Sequence, residues 1–250
     1  MSPPNSIKHP LSKSGKEDIG NTEPVCPQCG WSLDKMPSRK MKCPSCSGFI
    51  YVRTRPSDGR KVLVTMAQAE LIKEQWSVEN GTHDIYLKKK LLFEEEKATI
   101  AARFGCKPSD NDVKWSLFNK QIIENARRGD WGLYRNTKLN MAELLRMEGR
   151  LKDALNLYLE ICYIDLNGPR NTGGYSNLDI LRKYPLFSPE QAFLAPGVLV
   201  RIISLKKKLK LDLSKTKEYF LSAATVQQNA LKLSVLPDEA WEKLSVELSK

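Results

Sequence analysis

Histidine is scarce in this 250-residue sequence, which contains only His9 and His83. The sequence also lacks a His-Glu-x-x-His motif and a Gly-x-Ser-x-Gly motif. It therefore offers neither a histidine pair for an open catalytic metal site nor a histidine relay to an activated serine. We expect a protein that is not an enzyme and has no small-molecule substrate. A catalytic site assembled from residues distant in the sequence remains the alternative.

Long apolar runs are missing as well. No stretch approaches the ~18 apolar residues that a membrane-spanning helix needs, although 41% of the residues are hydrophobic, as in a folded protein. Residues 1–23 are rich in Pro, Ser, Lys and Asn and contain no apolar signal core, so they predict a disordered leader. With free cysteines expected, we predict a protein of the cytoplasm, a reducing compartment, without a membrane partner.

Acidic residues are too few to balance the basic ones, which leaves a formal net charge of +11. The excess is uneven: residues 1–65 carry 11 Lys or Arg against 5 Asp or Glu, a net charge of +6. A basic surface gains affinity for phosphate by releasing counterions, which makes DNA or RNA a plausible partner. The alternative is ordinary surface charge, because many basic proteins bind no nucleic acid.

Four of the six cysteines form two Cys-x-x-Cys turns, Cys26 with Cys29 and Cys43 with Cys46, separated by 13 residues. Each short turn points two sulfurs the same way, and four thiolates complete the closed tetrahedral shell of a structural Zn²⁺. We therefore predict one structural zinc ion, and two disulfides in a secreted module are the alternative. The remaining cysteines, Cys106 and Cys162, are predicted to be buried small side chains.

The second cysteine pair leads directly into a predicted β-hairpin. Residues 49–54 are rich in aromatic and β-branched side chains, residues 56–59 (Pro-Ser-Asp-Gly) form a turn, and residues 60–64 return as the second strand. Cysteine pairs followed by such a hairpin resemble a zinc ribbon, over residues 24–65. The resemblance implies a metal-stabilised fold, whereas zinc ribbons in general serve nucleic-acid binding, protein docking or structure alone.

Basic residues surround the cysteine turns and the hairpin. Strand alternation places Phe49 and Tyr51 on one side of the hairpin, with Arg53 beside them and Arg55 farther along if the strand persists. Two such rings could stack with nucleic-acid bases, although a small domain also needs its aromatic residues for a core. The candidate nucleic-acid contacts are Arg39, Lys40, Lys42, Arg53, Arg55, Arg60 and Lys61.

From residue 66 to residue 250 the sequence predicts antiparallel helices. Thr65 is a predicted helix cap. Residues 108–110 (Pro-Ser-Asp) are predicted to open a helix that closes at Gly129, and the last two helices are predicted at about 214–232 and 237–248. Within residues 137–166, Ala142, Gly149 and Ala154 are spaced as in a tetratricopeptide repeat, which this segment resembles. Ile161 and Leu166 depart from that pattern, and a generic helical hairpin is the alternative.

Two further stretches carry local signals. Residues 167–177 form a Gly-rich loop without a P-loop ending, so no phosphate cradle is expected there. Residues 188–190 (Ser-Pro-Glu) predict a helix start, and Pro196 is predicted to kink or end that helix.

The predicted fold is therefore mainly α, with a disordered leader (1–23), a small β zinc ribbon (24–65) and a helical, tetratricopeptide-like domain (66–250). Two functions follow from it. In the first, the ribbon binds nucleic acid and the helical body serves as a protein-interaction platform. In the second, the protein is an adaptor or scaffold whose zinc ribbon is purely structural.

Overall fold

The structure, a computed structural model, describes residues 18–249 apart from residues 176, 178, 180, 182 and 183. Most of the predicted leader, residues 1–17, lies outside the described residues. The chain separates into two compact units, the first ending at Leu92 and the second beginning at Phe93. It is mainly helical with a small antiparallel sheet near its N-terminus, as predicted. None of the helices in the described ranges is long and apolar enough to cross a membrane.

The sheet of the first unit has three antiparallel strands in the order β1 (Met41–Lys42), β2 (Phe49–Thr54) and β3 (Lys61–Val64). The predicted hairpin is confirmed, with Tyr51 opposite Val64 and Thr54 opposite Lys61. One face of the sheet is buried against the cysteine turns, because Ile50 and Leu63 cluster with Cys26 and Cys43. The ribbon core thus includes two of the predicted metal ligands.

The ordered ribbon begins before residue 24. The backbone of Asn21 exchanges two hydrogen bonds with that of Leu63, at 2.9 and 2.8 Å, and so extends the sheet at its β3 edge. Gly20 makes this approach possible, because a Cβ atom there would lie 2.5 Å from Val64 Cγ1. Residues 18–23 of the predicted leader therefore contribute to the ribbon.

The opposite face of β3 is covered by the first helix, α1 (Met66–Glu79). Val62 and Val64 form a buried cluster with Ala69 and Ile72 of this helix. The predicted cap is confirmed as a capping box, in which the Thr65 hydroxyl accepts from Gln68 N–H and the Gln68 side chain accepts from Thr65 N–H. Trp76 Nε1 also donates to the carbonyl of Thr54 at 2.8 Å. This hydrogen bond and the buried cluster hold α1 on the sheet.

The next two helices are α2 (His83–Phe104) and α3 (Asp110–Arg128). The predicted caps of α3 are confirmed, since Ser109 forms a capping box with Asp112 and Gly129 ends the helix with φ +69°. Glu96 of α2 is buried and accepts hydrogen bonds from Ser116 and Lys120 of α3. The facing parts of α2 and α3 are thus held together by a buried carboxylate.

A helical hairpin forms the centre of the second unit, with α4 (Trp131–Met147) and α5 (Leu151–Leu166) joined by residues 148–150. Ala142 and Ala154 are fully buried where the two helices meet, and Gly149 has φ +80° in the turn. The hairpin predicted within residues 137–166 is therefore present, although α4 begins earlier, at Trp131. That the hairpin belongs to the tetratricopeptide class stays a prediction.

Helix α5 is buried on nearly all sides by later helices, which are α6 (Pro196–Leu209), α7 (Leu213–Leu231) and α8 (Pro237–Leu248). Tyr163 illustrates this packing, because its hydroxyl donates to the carbonyl of Val235 at 2.6 Å and its ring meets Phe220 edge-on. Ile161 and Leu166, which depart from the repeat pattern, are both buried in this core. The later helices therefore cover apolar side chains of α5 that would be exposed if the hairpin of α4 and α5 stood alone.

Three local predictions are wrong, those for residues 189–191, for Pro196 and for Cys106. Residues 189–191 form only a turn of 3₁₀ helix, and Pro196 begins α6 instead of kinking or ending a helix. A proline without N–H and with φ near −65° suits a first helical turn, and it holds the preceding Ala195 in an extended conformation. Cys162 is buried as predicted, whereas Cys106 is exposed after the end of α2.

Replacing Gly168 by Ala should lower the free energy of unfolding of the second unit by more than about 2 kcal/mol. Gly168 has φ +61°, which costs other residues about 1–2 kcal/mol, and a Cβ atom there would lie 2.0 Å from the carbonyl oxygen of Ser188. The comparison is Gly149→Ala, at φ +80° with open space around it, which should show only the conformational cost. Urea unfolding measures both variants, and equal losses would contradict the steric argument.

Candidate metal centre and the adjoining basic face

The two cysteine turns have the same backbone geometry. In the first, Cys26 N–H donates to the carbonyl of Trp31 and Gly30 N–H donates to that of Cys26. In the second, Cys43 N–H donates to the carbonyl of Gly48 and Ser47 N–H to that of Cys43. Each turn ends in a left-handed residue, Gly30 at φ +74° and Ser47 at φ +57°. The two turns therefore hold their cysteine pairs in the same local conformation.

The four Sγ atoms lie within 4.8 Å of one another. Cys26 Sγ is 3.9 Å from Cys46 Sγ, and Cys29 Sγ is 3.8 Å from Cys43 Sγ. A regular tetrahedron of thiolates with Zn–S bonds of ~2.3 Å has S···S edges of about 3.8 Å. The donor set consequently fits a tetrahedral metal ion, and these cysteines could hold one. The predicted grouping of Cys26, Cys29, Cys43 and Cys46 is thus present in space.

The thiols of the cluster differ in acidity without metal. The backbone hydrogen bond from Cys46 is the main reason that the pKa of Cys43 is lowered to about 7. The backbone hydrogen bond from Gly48 lowers the pKa of Cys46, but the neighbouring sulfurs of Cys29, Cys43 and Cys26 together with desolvation outweigh it and raise this pKa to about 11. Since metal-bound cysteines are thiolates, binding must release protons from this cluster.

Gln28 connects the two turns. Its Nε2 donates to the carbonyl of Phe49 at 3.2 Å, while its Oε1 lies 4.0 Å from Cys46 Sγ. The side chain crosses directly over Gly48, where a Cβ atom would come within 1.8 Å of Oε1. The first turn is thereby tied to the start of β2.

Together, the four-cysteine cluster, the three-stranded sheet and the helical body fit a zinc ribbon followed by a helical domain. No protein family, curated protein or solved structure matches this chain.

On the side of the sheet opposite the cysteine cluster lies a surface that we call the basic–aromatic face, formed by Lys40, Lys42, Phe49, Tyr51 and Arg53. The Nζ atom of Lys40 lies 4.0 Å from the centre of the Phe49 ring and 4.8 Å from that of Tyr51. Lys42 lies 5.5 Å from Phe49, and the Arg53 guanidinium lies 5.6 Å from Tyr51. Three of the predicted cations thus surround the two predicted rings.

Strand register explains this grouping. Lys42 is directly opposite Phe49 in the β1–β2 pairing, and continuing that register places Lys40 opposite Tyr51. Alternation along β2 sends Ile50 and Val52 to the buried face and leaves Phe49, Tyr51 and Arg53 on the other. That these three β2 residues lie on the same side was predicted from the sequence. Their contacts with Lys40 and Lys42 across the strand pair were not predicted.

Arg55 lies apart from this face. Strand β2 ends at Thr54, and the Arg55 side chain is only 5% exposed, with Nε and Nη2 donating to the two carboxylate oxygens of Asp58 at 3.1 and 2.5 Å. Asp18 supplies a second carboxylate at 3.3 Å. The hydrogen bond from Arg55 is the main reason that the pKa of Asp58 is lowered to about 2. Arg55 therefore holds the hairpin turn, which its spacing from Asp58 could have suggested.

The other predicted contacts are dispersed. Lys61 pairs with Thr54, so alternation sends it to the side opposite Arg53. Arg60 is exposed at the hairpin turn, 3.8 Å from a carboxylate oxygen of Asp58. Arg39 is exposed immediately before Lys40.

Proposed function

We propose that this protein is not an enzyme and binds nucleic acid through its ribbon, which one structural Zn²⁺ holds together. Zinc is a metal favoured by four soft thiolate ligands at tetrahedral spacing. The role is structural because such a shell is closed and leaves no position for substrate. Iron is the other metal that uses this geometry. The proposal places the protein in a reducing compartment such as the cytoplasm, where the thiols stay available for metal.

The observation that carries the nucleic-acid proposal is the concentration of unpaired cations on the basic–aromatic face. Within the described residues, no carboxylate forms an ion pair with Lys40, Lys42 or Arg53. By contrast, Lys97 and Lys120 of the helical region each pair with an acidic residue. Cations without a carboxylate partner among the described residues attract phosphate without first breaking an ion pair there, and each phosphate contact releases counterions.

The second part of the proposal is that the helical body binds protein. A groove of about 600 Å³ lies between the end of α2 and α3, lined by Ile100, Phe104 and Trp115 among others. Phe104 is 64% exposed, so its ring is accessible to an apolar side chain of a partner. The second candidate function is that of an adaptor that binds no nucleic acid, because the groove could bind a protein partner whether or not the ribbon binds nucleic acid.

The test is binding of the zinc-loaded full chain to labelled single-stranded and double-stranded DNA and RNA across a salt series. Affinity should fall steeply with salt. A Lys40→Gln, Lys42→Gln, Arg53→Gln variant should lose up to about three units of the slope of log affinity against log salt. Lys61→Gln, on the opposite side of the sheet, should change the slope by no more than about one unit.

Absence of binding even at low salt would contradict the nucleic-acid proposal and favour the adaptor function. A triple variant with the slope of the unchanged protein would show instead that binding occurs elsewhere on the chain.

A further inference from the structure

Of the two rings of the basic–aromatic face, Tyr51 is partly buried and Phe49 is exposed. Tyr51 packs against the buried cluster of Val62, Val64, Ala69 and Ile72. Phe49, at the start of β2, is 43% exposed. A half-buried ring is fixed in place, so a ligand that stacks on it loses little of the ring's conformational entropy.

Lys40 shows that both rings border the same space. Its single ammonium group lies near the centres of both Phe49 and Tyr51, at 4.0 and 4.8 Å. The space is held by a flexible, exposed side chain and not by a packed core residue. A planar ligand can therefore displace the ammonium at little cost, and Lys40 remains close enough to contact an anion attached to that ligand.

The spacing of the rings decides between paired and unpaired nucleic acid. Residues two apart on a strand are separated by about 6.6–6.8 Å, twice the 3.4 Å rise between stacked bases in a duplex. In a duplex each base is also covered on both faces by its neighbours. Two bases stacked individually on Phe49 and Tyr51 must consequently be splayed apart, which an unpaired strand permits.

We propose that the basic–aromatic face binds single-stranded nucleic acid, with two nearby bases stacked on Phe49 and Tyr51. On binding, Lys40 leaves the rings and, with Lys42 and Arg53, contacts the adjoining phosphates. This inference rests on the proposed function and adds the class of ligand to it. Stacking of this kind tolerates any base, so little sequence preference is expected.

The first experiment changes the ligand and leaves the protein intact. A fluorescent eight-nucleotide DNA, its RNA equivalent and the matching duplexes are titrated with the zinc-loaded full chain. A further strand carries two adjacent abasic residues at its centre and therefore keeps every phosphate. The intact strands should bind more tightly than the duplexes. In a strand just long enough to cover the face, each base that is removed should lower the affinity about tenfold.

The second experiment changes the rings. Phe49→Leu and Tyr51→Leu should each lower affinity for the intact strand by about tenfold and leave the salt slope unchanged. The abasic strand should bind both variants as it binds the unchanged protein. Phe193→Leu, a change at an exposed ring of the second unit outside the groove of α2 and α3, is the control and should have no effect. Zinc content and the NMR dispersion of the ribbon confirm that each variant is folded.

The outcomes separate the two levels of the proposal. Equal affinity for the single strand and the duplex, or for the intact and the abasic strand, would overturn the stacking inference. If that binding still weakened steeply with salt, the proposed function would stand. Lack of binding to every nucleic acid at low salt would overturn both.

Discussion

Replacing Cys43 by Ser should abolish stoichiometric zinc binding and unfold the ribbon. Cys43 supplies one of four sulfurs at tetrahedral spacing, and with Cys26 it makes up half of the buried cluster that includes Ile50 and Leu63. Structural zinc sites supply about 10–16 kcal/mol of apparent binding free energy, more than so small a core can replace. Metal analysis of the purified protein and the dispersion of its amide NMR signals measure the two effects.

The structure also predicts how far the disorder should extend. Helix α1 packs on the sheet through Ala69 and Ile72, and Trp76 hydrogen-bonds to Thr54, so α1 loses these contacts when the sheet unfolds. Its amides, up to Glu79, should lose protection from hydrogen exchange together with those of the ribbon. The amides of α4 and α5 should keep theirs, because that hairpin has a separate buried core.

The matched control is Cys106→Ser, which changes an exposed cysteine outside the cluster and should retain full zinc content. A Cys43→Ser protein with one zinc ion per chain and an intact ribbon spectrum would show that the cluster does not organise the fold. Protection retained in α1 alone would show that this helix is stable without the sheet.

Features set by neighbouring residues could be predicted from the sequence. The caps at Thr65, Ser109 and Gly129 depend on hydrogen bonds within a few residues, and the structure has each of them. The hairpin of β2 and β3 is equally local, because turn residues lie between two β-prone stretches. The cysteine spacing likewise predicted the cluster, since each turn orients its own pair of sulfurs.

Features set by tertiary contacts could not be predicted in this way. Arg55 looked like any other cation near the hairpin: its pairing with Asp58 is local, but its second carboxylate partner, Asp18, is distant in the sequence. Helix α1 packs on Val62 and Val64 of β3. The alternating pattern of a strand indicates that these side chains share a face, but it does not indicate which helix covers that face. Residues 189–191 carry a helix-start signal that the following chain does not continue. In each case a partner distant in sequence, or its absence, decides the outcome.

Replacing Asp165 by Asn should lower the free energy of unfolding of the second unit by about 3–5 kcal/mol. Asp165 is 5% exposed on α5, and Arg135 of α4 donates to its two carboxylate oxygens at 2.7 and 2.6 Å. The substitution leaves the largely buried guanidinium without a counterion at the open end of the hairpin, away from the turn at residues 148–150. Urea unfolding followed by circular dichroism measures the loss. Glu124→Gln, which disrupts the exposed pair with Arg127, is the control and should cause no measurable change.

The same pair should contribute little net stability when both charges are removed together. Burial raises the pKa of Asp165, and the hydrogen bonds from Arg135 only partly oppose this, which means that desolvation offsets much of the attraction. An Arg135→Met, Asp165→Leu double variant should therefore be more stable than either single variant. Losses that simply add would instead show that the two side chains act independently, and that their contact does not orient α4 on α5.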